Sequence, residues 1–217
     1  MSAKSTKGLS VQMTKAAAAP TVLAFTTASV AVPCIIGTAT TAPAIPGDLV
    51  TIEGTGNPNL DGKLFAVGAV VADTSIELLG SDNSDGTDVA GNANVYSEED
   101  LVVICLSDLT MNVTEPGTVS TGTYCDPTTS IPSSVVEAGT LSLGGYVDIT
   151  TDDYQELLLA ESDGVERYLR VNLPDNGYLI APMTISLITW DLPLDGAIGY
   201  TGTAVLSTKM MHVFEAA

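Results

Sequence analysis

The sequence predicts a mainly β fold, a β-sandwich or partial barrel carrying one short α-helix at about residues 151–162. Three observations lead there. Gly, Thr, Ser and Val are abundant while charged residues make up only 15%, a composition that suits pleated, half-buried surfaces. Apolar residues recur at every second position in short runs bounded by Gly, Pro, Asn and Asp, the pattern of strands and turns. Helical periodicity is confined to one stretch. A lone helix cannot bury its own apolar stripe, so it must lie on a sheet supplied by the rest of the chain.

That stretch is 137–164. Leu141, Leu143, Tyr146 and Ile149 sit among Thr and Gly and read as a strand. Thr150 and Thr151 offer hydroxyls to the first N–H groups of the helix, and Asp152, Asp153 and Glu156 stand where its positive end favours carboxylates. Tyr154, Leu157 and Leu158 form the expected packing stripe, and Gly164 can take the left-handed conformation that stops the helix.

Along the chain, 7–13 alternates weakly and reads as a first strand, and 22–36 is apolar. Pro20, Pro33 and interspersed Thr and Ser argue for strands there, against a secretory signal or a membrane span. Residues 48–53, 63–71 and 75–79 read as strands, with 54–62, 82–88 and 91–94 as loops. Residues 101–106 read as a strand buried on both faces, continuing through Leu109, Met111 and Val113; 118–125 returns and 127–134 is a loop. Val165, Arg167, Leu169, Val171 and Leu173 share one strand face, 174–177 turns, 178–189 returns, and 198–208 is a final strand that 210–214 could extend.

With 217 residues the chain can bury a substantial core. Its net charge of −19 disfavours binding DNA through phosphate contacts, which need Lys and Arg. The charge is uneven: 1–33 holds Lys4, Lys7 and Lys15 with no acid, 34–97 holds eight acids against Lys63, and the remainder holds eighteen acids against Arg167, Arg170 and Lys209. A basic N-terminal arm beside an acidic body suggests docking on a neighbouring copy; a free tail is the alternative.

Enzyme chemistry finds no foothold. His212 is the only histidine, so no Ser/His/Asp or Cys/His set can be built without it. Cys34, Cys105 and Cys125 lack zinc-ligand spacing and read as free thiols. The acidic loop at 82–88 fails the EF-hand pattern at its first and twelfth positions and reads as an Asx/Gly turn. Gly54-Thr-Gly56 lacks nucleotide-loop spacing. No catalytic, metal or cofactor residue is expected.

The run Gly139-Thr-Leu-Ser-Leu-Gly-Gly-Tyr-Val-Asp148, then Tyr154-Gln-Glu-Leu-Leu-Leu-Ala160, then an alternating strand, resembles the major tail tube protein of long-tailed bacteriophages, the lambda-type tail tube family. Thr121-Gly-Thr-Tyr-Cys-Asp126 with its Pro/Ser loop is similar to the returning arm of that family's long hairpin. The resemblance covers roughly the last half of the chain plus the N-terminus. Pro46-Gly-Asp-Leu-Val-Thr-Ile52, Leu60-Asp-Gly-Lys-Leu-Phe-Ala-Val67 and Thr74-Ser-Ile-Glu-Leu78 resemble a small β-module of some phage tail proteins, similar in shape to a half-domain of ubiquitin-activating enzymes.

The resemblance implies a tube domain at 1–37 and 97–217 with an inserted module at 38–96. It further implies hexameric rings whose sheets complete a β-barrel, stacked into a conduit that DNA crosses without specific binding. Tape-measure, tail-tip and terminator proteins would be partners in a virion tail assembled in the host cytoplasm. Contacts between copies would involve Lys4, Lys7, Lys15, Asn112, Glu115, Pro116, Thr121 and Tyr124. An extracellular β-sandwich adhesin or pilus-like binding module is the other reading.

Overall fold

The structure, a computed structural model, describes residues 10–112, 118–120, 130–132, 139–174, 177–193, 196–208 and 210–214. It is mainly β with one helix. After β1 (Ser10–Thr14) come β2 (Thr21–Ala28), β3 (Cys34–Thr38), β4 (Leu49–Glu53), β5 (Leu64–Val71), β6 (Ser75–Leu79) and β7 (Gly91–Tyr96). The last six close an antiparallel barrel in the order β2-β3-β6-β5-β4-β7. Its core holds Leu23, Phe25, Ile36, Ile52, Phe65, Val67, Ile76 and Leu78.

β7 replaces the loop expected at 91–94. Asn and Gly there have little strand propensity, but the segment is paired on both sides, by β2 and β4, and Ala93 and Val95 fill the barrel core. Tertiary pairing overrides local preference. The expected boundary between 37 and 38 falls inside this barrel, since β2 and β3 pair within it. The acidic loop is held as a turn: Ser84 N–H and Oγ–H donate to Asp82 Oδ1 at 3.0 and 2.6 Å.

The second half follows a 3₁₀ turn at Glu98–Asp100: β8 (Leu101–Ile104), β9 (Asp108–Asn112), β10 (Thr118–Ser120), β11 (Ser130–Pro132), β12 (Thr140–Tyr146), α1 (Asp152–Asp163), β13 (Arg167–Leu173), β14 (Gly177–Asp191), β15 (Gly199–Leu206) and β16 (Met211–Phe214). With β1 these make a sheet of order β8-β1-β13-β14-β15-β12-β9, β16 pairing with β14, and β10 and β11 form a separate ladder. Residues 210–214 thus do not extend β15; they return as β16 beside residues 177–180.

The two ends of that order are joined by residues 105–107 alone. Four Cα steps span at most ~15 Å, so the sheet must curl until its edges meet at one corner. The opposite corner is β14, whose register shifts between Ile185 and Leu187. Residues 177–183 of β14 pair with β13, and 183–191 pair with β15. The result is two layers, β8-β1-β13-β14 and β14-β15-β12-β9, with β14 passing from one to the other at its irregularity. Residues 101–112 are therefore not one doubly buried strand. β8 is an edge with Val103 half exposed, and β9 is the edge at the other end of the order.

Between the layers lie Val11, Met13, Leu141, Leu143, Leu169, Val171, Met183, Ile185, Ile188 and Ala204. α1 packs on β8 and β14. Tyr154 and Leu157 are buried as expected, Leu158 is half-buried, and Ala160, unforeseen, is fully buried. Gly164 ends the helix at φ 61°, ψ 17°. The expected hydroxyl caps do not form: Thr151 Oγ1 donates backwards to the Asp148 carbonyl at 2.8 Å, and Thr150 Oγ1 to Asp148 Oδ1 at 2.6 Å. Asp148 organises the turn before the helix, and Ile149 and Val165, expected in strands, are exposed on the connections.

Candidate assembly surface

The outer face of the first layer is covered. Leu49, Leu64, Ala66 and Leu79 from the barrel meet Leu101, Ile180 and Val213 from the large sheet and its β16 strand. Buried within this junction is a polar cluster centred on Arg170. Its Nε and Nη2 donate to Gln12 Oε1 at 2.9 and 2.6 Å, its Nη1 to the Gly47 carbonyl, and its Nη2 also pairs with Glu98. Gln12 donates to Glu98 and accepts from Asn172 Nδ2 at 3.0 Å. A guanidinium this deeply buried needs a full set of acceptors; here the barrel supplies one, β1 another and the 3₁₀ turn a third.

Asp48, 1% exposed, lies beside this cluster. Burial pushes its carboxyl above the ordinary range, while the Ile45 N–H and the Arg170 charge pull it back. Asp153 goes the other way. Burial would raise it, but hydrogen bonds from Thr151 and from the Cys105 and Tyr154 N–H groups hold it below the usual value. The Cys105 N–H donates to its Oδ2 at 3.1 Å, tying the helix start to the corner between β8 and β9.

The second layer, by contrast, has one face that no described residue covers. Alternation within β12 and β15 turns Leu141, Leu143, Gly202 and Ala204 inward. Outward go Thr110 and Asn112 of β9, Thr140, Ser142 and Tyr146 of β12, Thr201, Thr203 and Val205 of β15, and Leu187 and Thr189 of β14. The charges on this face are Asp108 and Asp191, at the end of the layer where β12 finishes at Tyr146; among the described residues it carries no Lys or Arg. Both edges of the layer are open: β9 pairs only with β12, and residues 184–191 of β14 have no strand on the side away from β15 among the described residues.

Of the residues nominated for contacts between copies, Asn112 ends β9 on this layer and is exposed. Lys15 is engaged within its own chain, its Nζ donating to the Glu99 carbonyl at 2.7 Å. Lys4, Lys7, Glu115, Pro116, Thr121 and Tyr124 lie outside the described residues. The segment that leaves β9 after Asn112 and returns to Thr140 pairs 118–120 with 130–132. Sequence reasoning missed the open edge of β14 and the Arg170 cluster. Two arginines in an acid-rich chain were the available signal for the cluster. Among the described residues no group of three or more His, Cys, Asp or Glu could hold a metal ion, and no helix is long and apolar enough to cross a membrane.

No protein-family model and no curated protein matches this chain. Two solved structures share part of the fold. One, the tail of an empty gene transfer agent particle with C6 symmetry, is 18% identical with a TM-score of 0.43, covering 54% of this chain and 87% of that one. The other, the virion of a native gene transfer agent particle, is 15% identical with a TM-score of 0.42, covering 54% and 92%. These structural neighbours are components of tail and virion particles; at such scores the likeness bears on neither assembly nor activity here.

Proposed function

We propose that this chain is a structural subunit of a phage-type virion tail, the tail tube subunit that its sequence motifs resemble. The observation that carries the reading is the four-stranded layer β14-β15-β12-β9, bare on one face and open at both edges among the described residues. Its strand number is even and every pair antiparallel, so β9 of one copy meets the free edge of β14 in the next with antiparallel sense preserved. Copies related by rotation therefore close without leaving an unpaired edge.

Six copies contribute 24 strands in this reading. With strands ~4.8 Å apart and tilted ~40°, they form a backbone cylinder ~48 Å across, leaving a bore of ~36 Å inside the side chains. Three copies would leave only ~12 Å, too narrow for duplex DNA. This face of the layer lines the bore: Thr and Asn side chains beside the exposed Tyr146, Leu187 and Val205, acids at one end and, among the described residues, no cation give phosphate nothing to grip. The barrel at 21–96 forms the inserted module on the outside.

Light scattering and negative-stain imaging of the purified chain test this. Rings or tubes of uniform bore support the proposal; a monomer that binds glycan supports an extracellular binding module instead. With Asp108→Lys and Asp191→Lys, tubes are expected to form normally while DNA ejection slows, and unchanged ejection would overturn the repulsion argument.

A further inference from the structure

We propose that the barrel carries a self-association surface of its own, the outer face of β7, β2 and β3, and that its occupant is the same face of a second copy. Residues 16–47 contain no Asp, Glu, Lys, Arg or His, in a chain of net charge −19. The fold gathers this stretch into one surface. β2 and β3 pair with each other, and β7, which also lacks charge, flanks β2 on its other side. Outward along the three strands stand Asn92 and Asn94, then Val22, Ala24 and Thr26, then Ile35, with Val22 60% and Ile35 45% exposed. Val30 and Val32, in the β2–β3 hairpin, are exposed as well.

In the circle β2-β3-β6-β5-β4-β7, β2 stands opposite β5. β6, β5 and β4 supply Leu79, Leu64, Ala66 and Leu49 to the junction with the large sheet. The uncharged face is therefore the half of the barrel turned away from that sheet. Acids resume at its borders: Glu53 of β4 is paired with Asn92, Glu77 of β6 with Ile35, and Asp88 accepts from the Ala28 N–H.

Charge decides between occupants. A basic partner would gain most from the acids, and the barrel offers those elsewhere, eight against Lys63 over 34–97. A second copy carries the same sign of charge on its other faces, and like charges set against each other across a contact oppose binding. Two copies of so acidic a chain thus meet best where charge is missing. Faces of Val, Ile, Ala and Thr can stack at the spacing of packed sheets, about 10 Å. The barrel is closed and has no strand edge to share, so one face meeting its like across a two-fold axis is complete at two copies.

Cross-linking of the full chain tests it. In a Cys105→Ser, Cys125→Ser background, where Cys34 is buried, Ala24→Cys places a single exposed thiol on the face. A short bifunctional maleimide is expected to give a covalent dimer from this variant, and none from Leu159→Cys, exposed on the helix instead. Adding Val22→Glu and Ile35→Glu, both at exposed positions, is expected to cut the dimer at least ~10-fold while far-UV circular dichroism stays unchanged. Raising the salt is expected to increase it, since screening quiets the border acids. An Ala24→Cys chain that stays monomeric, equal dimer from Leu159→Cys, a dimer that survives the two Glu substitutions, or one that salt disperses overturns the proposal.

Discussion

Replacing Arg170 with Ala tests whether barrel and large sheet unfold as one body. The guanidinium is 6% exposed and reaches Gln12, Gly47 and Glu98. Glu98 has a side chain 62% exposed, so water takes over its lost partner and the ion pair itself contributes little. Gln12 Oε1 keeps its bond from Asn172. The Gly47 carbonyl is left bare, at about 1–3 kcal/mol, and losing the two methylenes beyond Cβ adds ~2 kcal/mol. The expected loss is therefore about 3–5 kcal/mol, a fall in Tm of ~6–20 °C for a chain of this length. Trp190 is the only tryptophan and lies in the large sheet, so its fluorescence follows that sheet while far-UV circular dichroism follows both parts. The two melting curves should coincide in the unaltered protein and separate in Arg170→Ala. Arg170→Met, which keeps the stem, should lose only the share of the carbonyl, about 1–3 kcal/mol. A shift under ~2 °C for Ala, or equal losses for Ala and Met, would refute the clamp.

Three other perturbations follow from the packing. Leu157→Ala, at a helix position 1% exposed, should lose about 2–4 kcal/mol by chemical denaturation, whereas Leu159→Ala, 48% exposed, should lose under about 1 kcal/mol. Gly145→Ala places a methyl 2.6 Å from the Tyr200 ring and should lower Tm by several degrees, roughly 1–3 kcal/mol; an unchanged Tm would mean that the ring yields freely. Asp48→Asn tests the buried carboxyl. Because burial raises the folded pKa, the stability linked to Asp48 is full below its unfolded value and is lost as pH rises through the folded one. The variant's Tm advantage over the unaltered chain should therefore grow from about pH 4 toward neutrality. Depressed acids such as Asp148 and Asp163 act in both proteins alike and cancel in the difference.

What the sequence made legible and what it hid divide along a physical line. The helix and its stop at Gly164 were readable because the signals are local: a stripe at 3.6-residue spacing and one residue free to adopt positive φ. Most strand positions were readable for the same reason, since Leu141 and Leu143, or Leu169 and Val171, alternate without reference to anything distant. Gly91–Tyr96 was not, because its strand character comes from neighbours in β2 and β4 on either side. Residues 101–113 misled for a related reason. A continuous apolar run is ambiguous between a doubly buried strand and two edges meeting at a corner, and only the pairing of β8 with β1 and of β9 with β12 decides between them. The Arg170 cluster was hidden more deeply still, since it joins Gln12, Gly47, Glu98 and Asn172 across up to 160 positions of sequence. The candidate assembly surface belongs to this non-local class. An open edge is a property of what fails to pair, and no residue type announces it. Thr189 and Thr201 read as ordinary strand residues, and only the pairing of β14 with β15 places them on one face of a layer whose borders no described strand covers.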